Sequence, residues 1–154
     1  MERTLVLLKP DSVQRGLIGT IISRFESKGL KIVGLKMRQF PRELLEKHYE
    51  VHSERPFYPA LVDFMSSSPV VAIALEGKDA IETTRNLMGA TNAAKAAPGT
   101  IRGDLGMSFS NNLVHGSDGA DTAQFELGLW FPDSAELCDW TPSNDAWVYS
   151  DEER

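Results

Sequence analysis

The run Asn111-Asn112-Leu113-Val114-His115-Gly116-Ser117-Asp118 sets one of the chain's three histidines between a short apolar step and a Gly-Ser-Asp turn. Gly116 permits close approach of another molecule to the backbone, and Ser117 and Asp118 offer local hydrogen bonds. These residues alone leave two readings open: a turn histidine satisfied by backbone, or a reactive imidazole. A serine-hydrolase reading lacks its Gly-x-Ser-x-Gly. His48 and His52 stand four apart, a spacing that sets two imidazoles on one helical face like half of a zinc site. Glu50 does not follow the first histidine directly, however, and no third ligand is evident.

The cations add chemistry of a different kind. Lys9 ends an apolar run, Arg55 precedes Pro56, Arg85 falls on a predicted helix, and Arg102 sits in Pro98-Gly99-Thr100-Ile101-Arg102-Gly103-Asp104. An isolated arginine is most often a surface charge. A lysine at a strand end and an arginine among glycines near a histidine suit polyphosphate better, through charge-assisted bonds. Neither Gly-x-x-x-x-Gly-Lys-Ser/Thr nor Gly-x-Gly-x-x-Gly is present, so any nucleotide is bound without a P-loop, a kinase glycine loop or a dinucleotide fold.

Composition narrows the setting. The 154 residues suit one domain, which at this size buries roughly two-thirds of its unfolded surface. A single cysteine, Cys138, excludes an internal disulfide, so a reducing cytosol is expected. The start of the chain lacks a signal-peptide pattern, and Val70 to Leu75, the longest apolar run, is too short to span a bilayer. A cytoplasmic protein is expected, without membrane association. A net charge of -6 argues against broad attraction to nucleic acid.

The elements that must position these side chains follow from periodicity. Thr4 to Lys9 reads as a buried strand, Gly16 to Lys28 as a helix stopped by Gly29, and Leu30 to Arg38 as a strand with one partly exposed face. Helices are predicted from Pro41 through His48 and Tyr49, from Phe57 to Met65, and from Asp79, as its cap, to Met88; Val70 to Glu76 reads as a strand between the last two. From Gly89 to Val114 periodicity disappears, which predicts a long loop of the kind that is usually functional or disordered. A short helix from Asp121 to Glu126, a strand from Leu127 to Phe131 and an extended tail with Trp140 and Trp147 complete the reading. The order βαββαβ points to an α+β, ferredoxin-like sandwich: a four-stranded antiparallel sheet with helices on its faces.

Taken together, the residues resemble the nucleoside diphosphate kinase family. The similarity runs through "ERTLVLLKPDSVQRGLIGTII", "HYEVHSERPFYPALVDFM", "SSPVVAIALEG", "LMGATNAAKAAPGTIRGD" and "NLVHGSD", with Glu126 following in "FELGLWF". It implies ping-pong transfer: His115 takes the γ-phosphate of a nucleoside triphosphate as phosphohistidine and passes it to a nucleoside diphosphate. Such a nucleophile must be neutral, and a free imidazole with a pKa of about 6.5 is largely neutral near pH 7. By the same resemblance Glu126 orients His115, and Tyr49 and Ser117 belong to its surroundings. Arg85, Thr91 and Arg102 contact phosphates bridged by Mg²⁺, with no metal ligand from the protein itself. Lys9 and Asn112 bond the sugar, Lys9 also lying near the transferred group. Phe57 and Leu61 form an apolar base platform, which gives broad base tolerance because every base has a π-face. The resemblance further implies a homo-oligomer, a hexamer built from dimers, with Leu30 to Met37 pairing at an edge.

Three positions depart from the family pattern. Phe109 stands where valine usually faces the base, Ser12 replaces the usual glycine of "KPDG", and Ala93 replaces a frequent proline. Base preference and loop rigidity are where these changes act. The expected organisation is one domain over residues 1–154, with 89–114 as an active-site loop and 132–154 as a C-terminal extension. Two competing readings use the same scaffold: a nucleotide-binding regulatory module without transfer, and a nucleic-acid binder, which lacks the expected aromatic signature and basic stripe.

Overall fold

The computed structural model describes residues Met1–Arg154. β1 (Glu2–Leu8) leads into a short helix α1 (Pro10–Gln14), with proline in the first turn, and then α2 (Ile18–Lys28). Gly29 stops α2 at φ 104°, the left-handed C-cap that glycine accepts without a Cβ clash. β2 (Lys31–Arg38), α3 (Arg42–His48), α4 (Tyr58–Ser66), β3 (Val70–Gly77) and α5 (Ala80–Met88) form the middle of the chain. α6 (Ile101–Leu105), β4 (Val114–Gly116), α7 (Ala120–Trp130) and α8 (Asp145–Val148) complete it.

The strands form one antiparallel sheet in the order β2-β3-β1-β4, the α+β ferredoxin-like arrangement that the element order predicts. Both faces are covered, which explains why β1 and β3 are continuous apolar runs rather than alternating ones. Leu5, Leu7, Ala72 and Ala74 pack with Leu45, Val62, Met65 and Trp130 on the side of α3, α4 and α7. Val6, Leu8, Ile73 and Leu75 pack with Ile21, Phe25 and Met88 on the side of α2 and α5.

β4 decides where the site lies. It pairs Leu7 with His115 and Leu8 with Val114. Residues directly opposite in an antiparallel pair share a face. His115 therefore projects with Leu7 toward α3 and α7, while Val114 joins the other core.

This fourth strand differs from the predicted one. Residues 127–131 are not a strand: α7 continues through Trp130, burying Ala123, Glu126 and Trp130 on one side. The short apolar step after Glu126 carries no period of its own, and Gly128 interrupts the helical one. The segment 89–114 also holds more structure than a loop, with a 3₁₀ turn at Ala93–Lys95 and α6 capped by Thr100, whose Oγ1 accepts from Gly103 N at 2.9 Å. Asp79 occupies the N-cap of α5 but makes no side-chain cap bond; Glu2 Oε1 instead accepts from Ile81 N at 2.8 Å. The tail is extended only in part, since Trp147 lies in α8.

Candidate active site

A cleft of about 270 Å³ opens where β4, α3, α5, α7 and the 89–114 segment meet. Lys9, Tyr49, Arg85, Thr91, Arg102, Asn112, His115 and Glu126 all line it. A larger cleft, of about 550 Å³, lies around Trp140, Trp147 and the start of β2, away from these residues. The smaller one gathers the reactive groups and is the candidate site.

His115 Nε2 lies 2.9 Å from Glu126 Oε2, and Ser117 Oγ donates to Glu126 Oε1 at 2.6 Å. The other ring nitrogen of His115, Nδ1, makes no hydrogen bond within the protein. Burial pushes the Glu126 carboxyl up, but the bonds and charge from His115, aided by His48 and Ser117, outweigh it and hold the group below its ordinary range. The result is a buried carboxylate that accepts a proton-bearing Nε2 and leaves Nδ1 as the lone-pair nitrogen.

The cationic side is equally constrained. Lys9 Nζ donates to Asn112 Oδ1 at 2.8 Å, and Asn112 Nδ2 donates to Thr91 O at 2.9 Å. Arg102 bonds three carbonyls: Gly89 O at 2.9 Å, Asn112 O at 3.2 Å and Val114 O at 2.7 Å. It thereby ties both ends of the 89–114 segment together while keeping two of its five N–H groups free. Burial, then repulsion from Arg102, lowers Lys9 to about 8, against the opposing pull of Asp11. Burial, then Arg85, lowers Arg102 to about 10, still charged at neutral pH.

Between these halves Leu113 adopts φ 73°, rare for a branched side chain, and Val114 N donates to Asn112 O at 2.8 Å across it. The turn after β1 holds this γ-turn in place. Lys9 N and Ser12 Oγ donate to Leu113 O at 2.9 and 2.6 Å, and Asp11 Oδ2 accepts from Leu113 N at 3.0 Å. Ser12, where the family pattern has glycine, thus adds a buried bond to the segment that presents Asn112 and His115.

Two expectations are corrected, those for Gly116 and for the pair His48 and His52. Gly116 gives its space to α5 rather than to a ligand: a Cβ there would meet Met88 Sδ at 2.8 Å. His48 and His52 do not share a helical face, because α3 ends at His48 and His52 lies in a 3₁₀ turn. His48 instead converges with His115 and Glu126, their ligand atoms lying within 4.8 Å of one another. Phe57, Leu61 and Phe109 do not line the cleft. Phe57 stands at its rim, its ring centroid 5.4 Å from that of His52, and Phe109 is exposed. The lining also includes Asp118, read from the sequence only as a turn residue with local hydrogen bonds, and Thr122, which the motifs did not single out.

The family model for nucleoside diphosphate kinase matches residues 2–135. A nucleoside diphosphate kinase of Microcystis aeruginosa is 59% identical over 148 residues, covering 96% of this chain and 99% of that one. One from Synechococcus elongatus is 57% identical over 149 residues, covering 97% and 99%. Among solved structures, a halophilic nucleoside diphosphate kinase from Halobacterium salinarum in complex with CDP superposes with a TM-score of 0.93 at 52% identity, covering 97% and 99%. A nucleoside diphosphate kinase family protein from Babesia bovis gives 0.94 at 44%, covering 97% and 100%. The chain belongs to the nucleoside diphosphate kinase family and is a phosphotransferase that moves a phosphoryl group from a nucleoside triphosphate to a nucleoside diphosphate.

Proposed function

We propose that His115 is the group that carries the phosphoryl between the two nucleotides. The observation that supports this most is the 2.9 Å contact of His115 Nε2 with Glu126, which leaves Nδ1 without a protein partner in a cleft lined by Lys9, Arg85 and Arg102. In the first half-reaction Nδ1 attacks the γ-phosphorus, the N–P bond forms, and the bond to the β–γ bridging oxygen breaks with its electron pair leaving on the diphosphate. Glu126 accepts the Nε2–H bond throughout and stabilises the positive charge that grows on the ring. The second half-reaction reverses these steps onto a different diphosphate. Lys9, Arg85 and Arg102 neutralise the phosphates, which is most of what such a transfer asks of a protein. Tyr49, whose buried hydroxyl has no protein partner, is a further donor toward the transferred group.

The family implies Mg²⁺, and the donors in the cleft fit an ion carried by the phosphates. Asp118 is the carboxylate available beside Glu126, whose oxygens already accept from Ser117 and His115. The histidine nitrogens nearby suit Mg²⁺ poorly, because it is a hard ion that takes oxygen ligands. When bound, the ion would supply charge neutralisation on the phosphates.

Phe57, Leu61, Asn112 and Phe109 hold the nucleoside, with base tolerance following from stacking without hydrogen-bond readout. The protein acts as one domain over residues 1–154 with 89–114 as the active-site loop and 132–154 as an extension, in the cytoplasm, without nucleic-acid or membrane partners. Exposed Leu35 and Met37 on the edge strand β2 support its assembly into dimers and a hexamer. No helix is long and apolar enough to cross a membrane.

Steady-state exchange measured over a grid of triphosphate and diphosphate concentrations tests the reading. Parallel double-reciprocal lines, abolished turnover in His115→Ala and an unchanged melting curve are expected. Intersecting lines with substantial turnover in His115→Ala would overturn it.

A further inference from the structure

Beneath Glu126 lies a second pair of rings that the transfer step does not touch. Trp130 is fully buried and His48 nearly so, on the face of the sheet that His115 shares. The Trp130 Nε1–H points at His48 Nδ1 at 2.9 Å. An indole nitrogen only donates, so His48 Nδ1 carries the lone pair and the His48 proton sits on Nε2. That Nε2 faces Glu126 Oε2 at 3.5 Å. The opposite tautomer would set two N–H groups against each other on one side of the ring and a lone pair against a carboxylate on the other.

We propose that Trp130 and His48 are positioning residues for phosphoryl transfer: the indole fixes the tautomer of His48, and His48 Nε2–H helps fix the Glu126 carboxylate that orients His115. The inference rests on the reading of His115 and Glu126 as the transfer pair. Glu126 accepts from Ser117 and His115, and His48 Nε2 stands 3.5 Å from its Oε2, so the surrounding N–H and O–H groups favour the ionised carboxylate over any role as proton source. His115 Nε2 is then held as a donor and Nδ1 as the nucleophile. The His48 ring also meets the His115 ring edge to face, with centroids 4.7 Å apart, which restricts rotation of the nucleophile. A neutral His48 suits this role. Burial, then the neighbouring His115, lowers its pKa to about 3 despite the pull of Glu126.

Long-range ¹H–¹⁵N spectra of the intact protein read the tautomer directly. A pyridine-like Nδ1 and a pyrrole-like Nε2 on His48 at neutral pH are expected; a protonated Nδ1, or a charged ring, overturns the proposal. The functional arm follows the rate of His115 phosphorylation in a single turnover with ATP. His48→Leu should slow it about tenfold or more, the usual range for residues that orient a reacting group, with nucleotide affinity held within about twofold. His48→Gln keeps an N–H donor toward Glu126 and should recover most of the rate, and Trp130→Phe should fall between the two. Wild-type rates in His48→Leu would overturn the proposal, as would a uniform loss of affinity with the rate intact. His115→Ala run alongside separates the two readings: a phosphoenzyme in that variant would remove the transfer assignment, whatever the tautomer of His48.

Discussion

The two ends of the cleft are built on opposite terms. At the phosphate end Lys9, Arg102, Asn112 and Glu126 are between 4% and 8% exposed, and each is bonded within the protein. At the proposed base end Phe57 is 50% exposed and Phe109 is 64% exposed, and neither offers a hydrogen bond. The difference teaches where this enzyme spends its precision. Phosphoryl transfer depends on near-attack geometry and fixed charge, for which misplacement by about 1 Å costs on the order of 100-fold. Recognition through exposed rings would depend on contact area alone, the condition for the base tolerance proposed above.

The comparison is broken most severely at the carboxylate. Glu126→Gln retains the shape but replaces an ionised acceptor with an amide that can turn a donor toward His115. The rate of His115 phosphorylation should fall about 10- to 100-fold, with nucleotide affinity little changed. An equal rise in dissociation constant instead would place Glu126 in binding rather than in orientation.

Arg102→Lys should follow. A lysine cannot span Gly89 O, Asn112 O and Val114 O together. Urea unfolding should register a loss of about 2–4 kcal/mol, and kcat/KM should drop because the 89–114 segment no longer presents Asn112 and Thr91 correctly. Unchanged stability would mean that the three carbonyls are satisfied in other ways.

Lys9 sharpens the comparison through pH. Its folded pKa of about 8 lies below the ordinary 10.5, so the charged ammonium destabilises the nucleotide-free fold below about 8. Between these values only the unfolded chain holds the proton, and stability rises with pH. The proposed role of Lys9 in holding nucleotide uses the charge, so kcat/KM should decline as pH passes about 8 while the free protein becomes more stable. Lys9→Met should remove the stability rise. A rise that persists in this variant would assign it to another group.

The smallest effect belongs to the base end. Phe109→Val should change the relative KM values of purine and pyrimidine diphosphates by about two- to fivefold, with kcat held. Identical ratios would mean that the ring does not reach the base.

How much of this was legible in the sequence depended on how local each feature is. β1, β2, β3 and α2 carry their own periodicity or stop signals, and Gly29 ends α2 where its lack of a side chain allows. β4 has only three residues and no pattern that distinguishes it, because it exists through pairing with Leu7 and Leu8. The end of α7 looked like a strand because its apolar step is equally satisfied by either period. The charged residues of the site were readable from the family's motifs, although their bonds were not. The contact of His48 with Trp130 joins residues 82 apart, and no spacing rule links them. Ser12 was legible as a departure, and its bond to the strained Leu113 only became visible in three dimensions.

The most direct measurement is to incubate the protein with γ-labelled ATP and Mg²⁺, isolate it, and chase with a different nucleoside diphosphate. The account predicts a label that is acid-labile and base-stable, leaves as the new triphosphate, and is absent in His115→Ala. Nucleotide binding without label on the protein, or a label that persists in His115→Ala, would contradict it.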